Sequence, residues 1–427
     1  MSLNVLVVGA GVCGPAFAML LQRSNPKHKI TILERSPTLR LGGQQIDLKK
    51  QAPHILRQMG LLDEINSRCV NETGLEVVDS KGKMVARFGV APAGQRRPGL
   101  TSEHEIMRSD MVQVLYDASI RQNQNLKAES EDVDAGLKYV FGQTIVALDQ
   151  RENDDVDVTF SNGETKRYDL VVGADGQGSH IRRLAFGKET SRAAFKSLGI
   201  HAAYFSLPKI EDEATLAKAH LAPGRRMLFT RTSGRPVTGA LLFTMQKSEN
   251  LSGCYRESID KQKEAFAEAF RDIDWQADRL IMGLKSSSDF YANELGQIKL
   301  KELSNGHIVL LGDAGYCPSP FTGLGTNLCL VGSYILAGEL ARHGSRNISA
   351  ALRSYGEKMR PFIDECQSIS PTALSLFFPS SRLGIWVMHS LASAVASFSE
   401  RFWQGQEELT DNHAERLPKY PELNLPL

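Results

Sequence analysis

Residues 4–34, NVLVVGAGVCGPAFAMLLQRSNPKHKITILE, leave the chain few folds to choose from. Residues 4–8 are a β-branched run, residues 13–23 carry helical spacing, and residues 29–33 are apolar again, which predicts a compact βαβ unit. The turn into the helix is Gly9-Ala10-Gly11-Val12-Cys13-Gly14. In such a turn the first glycine permits the tight bend, the second lets backbone reach a pyrophosphate, and the third lets helix and strand pack closely. The second strand ends in Glu34, whose carboxylate accepts hydrogen bonds from ribose hydroxyls and repels a 2′-phosphate. The nucleotide expected there is FAD or NAD, not NADP.

A second glycine-rich loop, 312-GDAGYCPSPFTGLGTN-327, follows the short buried strand predicted at residues 306–311 and opens a helix near Thr326 and Asn327. Amides at such a helix start face an electron-rich group, and Asp313 at the strand end can hold sugar hydroxyls. Two nucleotide-facing ends in one domain suit a ligand longer than a mononucleotide, which points to FAD. Between the two loops, residues 101–119 read as a short approach and then an amphipathic helix, with Arg108 just before the helix. A strand pair is expected at 144–148 and 156–160, and a buried strand at 169–173 ends in 174-ADGQGSHIRR-183. From residue 197 to 245 the sequence alternates around the turn 233–236, which predicts an antiparallel hairpin and a second domain built on a sheet.

Composition narrows the partners. At 427 residues and 42% hydrophobic content the chain can bury a large core, and Lys+Arg 50 against Asp+Glu 49 gives no global field for nucleic acid. The six cysteines are scattered without a CxxC pair, so they read as reduced thiols, with neither disulfides nor a metal site expected. The first residues show no basic leader or cleavage site, so the expected location is cytoplasmic. Residues 383–399, LGIWVMHSLASAVASFS, are read as a packed C-terminal helix rather than an integral membrane span, with peripheral membrane contact left open.

Taken in order, Gly9-x-Gly11-x-x-Gly14 with Glu34-Arg35, Asp175-Gly176-x-x-Ser179-x-x-Arg182, and Gly312-Asp313 with Pro320, Gly323, Gly325 and Asn327 resemble three signatures of one family. They are those of the single-component group A flavoprotein aromatic hydroxylases, the p-hydroxybenzoate hydroxylase-like monooxygenases. The likeness covers most of the chain and extends to 42-GGQQIDL-48, 59-MGLL-62 and 105-EIMRSDM-111, which look most like tetracycline-degrading and secondary-metabolite monooxygenases.

The resemblance implies an α/β fold: a Rossmann-like FAD-binding domain of the GR2 type, a second substrate domain on an antiparallel β-sheet, and a C-terminal helix. Residues 1–75, 101–185 and 290–370 would form the FAD-binding domain, 76–100 and 186–289 the substrate domain, and 371–427 the C-terminal helical segment. Carried over position by position, Gly9, Gly11, Cys13 and Gly14 would line the pyrophosphate turn, Glu34 would bind the adenosine ribose, and Arg35 would lie nearby. Arg108 would approach the FAD and Asp313 its ribityl or pyrophosphate region. Pro320, Gly323, Gly325, Thr326 and Asn327 would pass the isoalloxazine, and Asp175 would sit where FAD and a transient NADPH or NADH both pass. Arg182 and Arg183 would meet the reductant's phosphates or else form surface salt bridges. Gly42 and Gly43 would let a flavin swing or a substrate enter, although a plain turn uses glycines too.

The same resemblance implies that NAD(P)H reduces the flavin, that O2 then gives a C4a-hydroperoxyflavin, and that one oxygen passes to a phenolic or polycyclic aromatic small molecule. Baeyer-Villiger or decarboxylative oxygenation, and a non-oxygenating flavin-binding sensor, are the alternatives. No side chain is assigned to catalysis. Candidate pocket residues on the alternating strands are His201, Tyr204 and Phe229, with His201 the one ionisable candidate there to deprotonate a phenol, against a reading as a satisfied core histidine. Two positions depart from the family pattern: Tyr316 stands where a histidine is common, and Gly332-Ser333 where an aspartate-alanine pair is common.

Overall fold

The computed structural model describes residues 2–425 apart from 41, 71, 90–103, 129–134, 152–154, 212, 370 and 403–412. Its first layer is a six-stranded sheet in the order Ser304–Asn305, Ile308–Leu310, Leu170–Gly173, Asn4–Val8, Lys29–Glu34, Gly136–Phe141. All pairs but the outermost, Ser304–Asn305, are parallel. These strands read as near-continuous Val, Ile and Leu because both faces are covered. Val5 and Val7 pack with Phe17 and Leu20 of the helix Cys13–Ser24 and with Leu336 of the helix Gly325–His343. Leu6, facing the other way, packs with Val156, Val158 and Tyr168 of a three-stranded antiparallel sheet, which contains the pair expected at 144–148 and 156–160, observed as Ile145–Gln150 and Val156–Phe160.

The second large sheet has seven strands, in the order Tyr291–Ile298, Phe195–Pro208, Val237–Thr244, Arg226–Thr232, Ala217–Ala222, Leu75–Val78, Met84–Phe88. The hairpin expected around residues 233–236 is present, with Arg226 opposite Thr244 and Thr232 opposite Thr238. Tyr291–Ile298, grouped with the FAD-binding part from sequence, instead pairs with Phe195–Pro208 at the edge of this sheet. Its first half, YANE, is polar and half-buried and lacks the apolar run that marks strands of the other sheet. The segment 290–370 therefore divides between the two sheets. Of residues 76–100, the part from 90 onward lies outside the described residues.

A short antiparallel pair, Gln45–Asp47 with Glu105–Met107, stands apart from both large sheets. The helix Arg382–Phe402 lies on the strand Met84–Phe88, where the Ser393 hydroxyl donates to Val85 O at 2.6 Å. Among the described residues no helix is long and apolar enough to cross a membrane.

Candidate active site

The three fingerprint glycines are needed for different reasons. Gly9 has φ 116°, and a Cβ there would stand 2.4 Å from Ala174 O; a Cβ on Gly14 would stand 2.1 Å from Gly9 O. Around Gly11 the nearest neighbour of such a Cβ is Arg108 Nη2 at 3.5 Å, so that glycine leaves an open face rather than relieving a clash. Glu34 is held against the turn, because Oε2 accepts the Ala10 N–H at 3.1 Å and Oε1 the Ser36 N–H at 2.9 Å. Arg35 beside it is exposed.

Arg108, the first residue of the helix Arg108–Ala128, reaches back across the cleft and donates from Nη1 to Gly42 O at 2.8 Å. That passage explains Gly43, which has φ 136° and whose Cβ would meet Arg108 Cδ at 2.8 Å. Burial lowers the Arg108 pKa and Arg40 repels its charge, while Tyr291, Asp313 and Cys13 oppose the shift. Arg108, Asp313 and Cys13, predicted from three separate segments, thus share one cleft.

The two glycine-rich loops touch at Gly312, which has φ 65° and whose Cβ would lie 2.3 Å from Cys13 Sγ. The next residue, Asp313, is exposed. The protein crowded round it pushes that carboxyl pKa up, against the hydrogen bond with Cys317 and the pull of Arg108. Pro320–Thr322 then forms a single 3-10 turn, with Pro320 exposed, and Gly323 at φ 63° leads into the 19-residue helix that begins at Gly325. A Cβ on Gly325 would meet nothing within 4 Å, and Thr326 is half-buried. An open glycine backbone at two helix starts, with an accessible carboxyl between them, fits the diphosphate and polyol of FAD.

Two predicted site residues have side chains engaged in structural hydrogen bonds. Asn327 is buried and stitches helix to helix: its Oδ1 accepts the Ala52 N–H at 3.0 Å and its Nδ2 donates to Gln51 Oε1 at 3.0 Å. Asp175 caps the helix His180–Phe186, accepting from the Ser179 hydroxyl at 2.5 Å and from the N–H groups of His180 and Ile181 at 2.6 and 3.1 Å. Arg182 is 3% exposed and donates to Ala314 O, Gln177 O and Ser191 Oγ at 2.6, 2.7 and 3.1 Å, which ties this segment to the loop after Asp313. It is neither a surface salt bridge nor free to meet a phosphate. Arg183 is the exposed one of the pair.

The face of the seven-stranded sheet toward the second glycine loop is aromatic. Tyr204 stacks on Tyr291 with ring centroids 4.6 Å apart and meets Phe243 edge-on at 6.0 Å. Phe243 in turn lies 5.4 Å from Phe321 of the loop, and Phe321 lies 6.1 Å from Phe378. Phe229 packs against the same cluster. His201 does not: alternation along the strand sends it to the opposite face from Tyr204, where its Nδ1 shares a 2.6 Å hydrogen bond with the Tyr255 hydroxyl. Burial lowers its pKa, with Glu294 opposing.

One buried polar group was not anticipated from sequence. Asp47 and Glu105 stand directly opposite each other in the short strand pair. Arg231 of the seven-stranded sheet donates to Glu105 at 2.8 and 2.9 Å and to Glu72 at 2.7 and 3.0 Å. Burial raises the Glu105 pKa to about 8, with Asp47 and Glu72 adding to the rise and Arg231 opposing it. A Cβ on Gly323 would lie 3.1 Å from Asp47 Oδ2, so the group borders the second loop. The available signal was a carboxylate in each of two short segments, QID and EIM, already singled out for their resemblance.

The sequence profile of the FAD binding domain family matches residues 2–368. The FAD-dependent monooxygenase asL6 of Sarocladium schorii is 40% identical over 430 residues, covering 99% of each chain. A flavin-dependent monooxygenase of Legionella longbeachae is 32% identical over 396 residues, covering 91% of this chain and 90% of the other. Among solved structures, tetracycline destructase Tet(51) superposes with a TM-score of 0.74 at 26% identity, covering 96% of this chain and 100% of its own. With the doubly covered parallel sheet, the paired glycine loops and these similarities together, the chain belongs to the FAD binding domain family and is an FAD-dependent monooxygenase.

Proposed function

We propose that this monooxygenase consumes NADPH or NADH together with O2 and hydroxylates an electron-rich phenolic or polycyclic aromatic small molecule. The observation that carries this reading is the continuous aromatic wall from Tyr204 through Phe243 to Phe321, which runs from the second sheet onto the loop that would border the flavin. Such a wall stacks on flat rings and excludes water from the reacting centre. The tetracycline destructase likeness, a relative whose name specifies a polycyclic compound, supports the same substrate class.

The residues would divide the work as follows. Gly11 and the amides at the start of Cys13–Ser24 hold the diphosphate, Glu34 the adenosine ribose, and Asp313 the ribityl hydroxyls. Arg108 places a positive charge over the cleft, anchored through Gly42 O. Gly323 to Thr326 present backbone to the ring system. Bound FAD supplies the redox chemistry and the activation of O2. Tyr204, Phe229 and Phe243 orient the substrate. Arg183, exposed beside the loop 174–183, offers a charge to the reductant's phosphates.

The test is NADPH and NADH consumption by FAD-loaded protein against phenols, anthraquinones, indoles and tetracyclines, with the structure of each product determined. Ligand-stimulated consumption with gain of one oxygen on an intact ring is expected. Ring expansion or loss of carbon dioxide would replace hydroxylation by the Baeyer-Villiger or decarboxylative alternative. Flavin that no ligand helps to reduce would favour a sensor.

A further inference from the structure

The helix Arg382–Phe402 carries apolar side chains on its outer face as well as its inner one. Leu383, Val387, Leu391 and Val395 repeat every fourth residue along its outer face with Trp386 beside them, and these side chains are 72, 43, 55, 58 and 66% exposed. Its inner face, against the sheet edge, carries the half-buried Ile385 and Met388 together with small and polar groups: Ser393 bonded to Val85 O, the buried Ala396, and His389 near Asp79. The segment just before it adds Leu376 and Phe377, 67 and 57% exposed, and the neighbouring strand adds Met84. Single exposed apolar residues need no explanation, but a contiguous stripe of this kind marks an interaction surface.

The charge around the stripe identifies what it fits. Exposed Lys81 and Lys83 lie on the turn before the strand that the helix covers, whereas Arg87 on that strand is paired with Glu76 at 3.2 Å. At the helix start, Arg382 is exposed, and so is Arg225, whose N–H donates to Pro379 O at 3.2 Å. The same turn carries the carboxylate of Asp79, which accepts the N–H groups of Lys81 and Lys83 and offsets one of these positive charges. In a chain whose charges nearly cancel, the positive excess here is local. A second copy docked face to face would bring two such basic rims together, which costs energy. An anionic lipid surface answers both the apolar stripe and its rim.

We propose that this face docks in the plane of an anionic lipid membrane, with Leu383, Trp386, Val387, Leu391 and Val395 entering the headgroup boundary and the lysines and arginines meeting lipid phosphates. The position has a functional consequence. Phe378, two residues beyond Leu376, is buried edge-on against Phe321 in the pocket wall, so one short segment borders both the pocket and the membrane-facing stripe. Docking itself does not depend on which substrate is used.

The test uses the full FAD-loaded chain sedimented with phosphatidylcholine vesicles with and without phosphatidylserine. Binding to the anionic vesicles is expected, with a blue shift and brominated-lipid quenching of tryptophan emission that largely disappears in Trp386→Phe. The triple variant L383S/W386S/L391S should bind at least about tenfold more weakly, given roughly 1.5–3 kcal/mol for fully burying one such side chain. If that variant misfolds, K81E/K83E/R382E decides, since its changes lie on exposed charges and must also weaken binding. Wild-type protein that stays with neither vesicle, binding unchanged in both variants, or a solution dimer that the apolar variant dissociates would each overturn the proposal.

Discussion

A Cβ added to Gly332 would lie 2.0 Å from the Tyr316 hydroxyl oxygen. The two positions at which the sequence departs from the family pattern are therefore one packing solution. Tyr316, 1% exposed, fills the space that a side chain at 332 would need, and its hydroxyl lies 3.0 Å from that of Tyr355, which donates to Leu310 O at 3.1 Å. The polar chain behind the flavin loop is rebuilt from tyrosines, and glycine at 332 is its condition.

This coupling can be measured. Gly332→Ala overpacks a closed site and should cost about 1–3 kcal/mol, whereas Tyr316→Phe, which loses one hydrogen bond, should cost about 1 kcal/mol. In the double variant the nearest ring atom is Cζ, 3.1 Å from the new Cβ, so the penalties should be clearly less than additive. Urea unfolding of the four proteins decides, and additive penalties would break the link.

The fingerprint glycines separate folding from cofactor binding. Gly14→Ala places a methyl 2.1 Å from Gly9 O and should destabilise the apoprotein. Gly11→Ala meets nothing closer than the end of Arg108 at 3.5 Å, so the apoprotein should melt normally while FAD affinity falls by at least about tenfold, because backbone can no longer approach the diphosphate. Calorimetric titration with FAD and apoprotein melts test the pair. Equal loss of stability in both variants would show that Gly11 is there for folding.

Glu105 should make stability pH-dependent. Its folded pKa of about 8 lies above the ordinary carboxylate value, near ~4.3. Between those values the folded chain holds a proton that the unfolded chain has released, so stability falls as pH rises through the window and levels off above about pH 8. The fall should be at most about 5 kcal/mol, and Glu105→Gln should flatten it. Unfolding midpoints near pH 5.5, 7 and 8.5 check this, and an unchanged slope in the variant would place the proton on another group.

Much of this architecture was legible because local chemistry dictated it. The glycines at 9, 11 and 14, the end-of-strand Glu34, and the loop from Gly312 to Gly325 announce themselves through backbone needs that only certain residues meet. The structural partners of Asp175, Asn327 and Arg182 were not legible, because a polar residue near a nucleotide cleft looks the same in sequence whether it points at the ligand or caps a neighbouring helix. Only the partners, such as the His180 and Ile181 amides on Asp175, tell them apart. The group around Arg231 was invisible because its members, at 47, 72, 105 and 231, come from three separate parts of the fold.

His201 shows how a period of two separates two readings of one strand. Tyr204 is an odd number of residues away, so the two side chains leave opposite faces of the sheet, and His201 meets Tyr255 rather than the aromatic wall. His201→Gln should therefore keep kcat/KM within about threefold and leave its pH profile unchanged between about pH 5 and pH 9. It should still lower stability by about 1 kcal/mol, because the bond to the Tyr255 hydroxyl is disturbed. Phe229→Ala, on the wall itself, should instead raise KM with little loss of stability beyond that of a partly buried aromatic residue. A profile in which the acidic limb disappears with His201 would mean that its ring reaches the substrate after all, and that the sheet face identified here is not the one that binds.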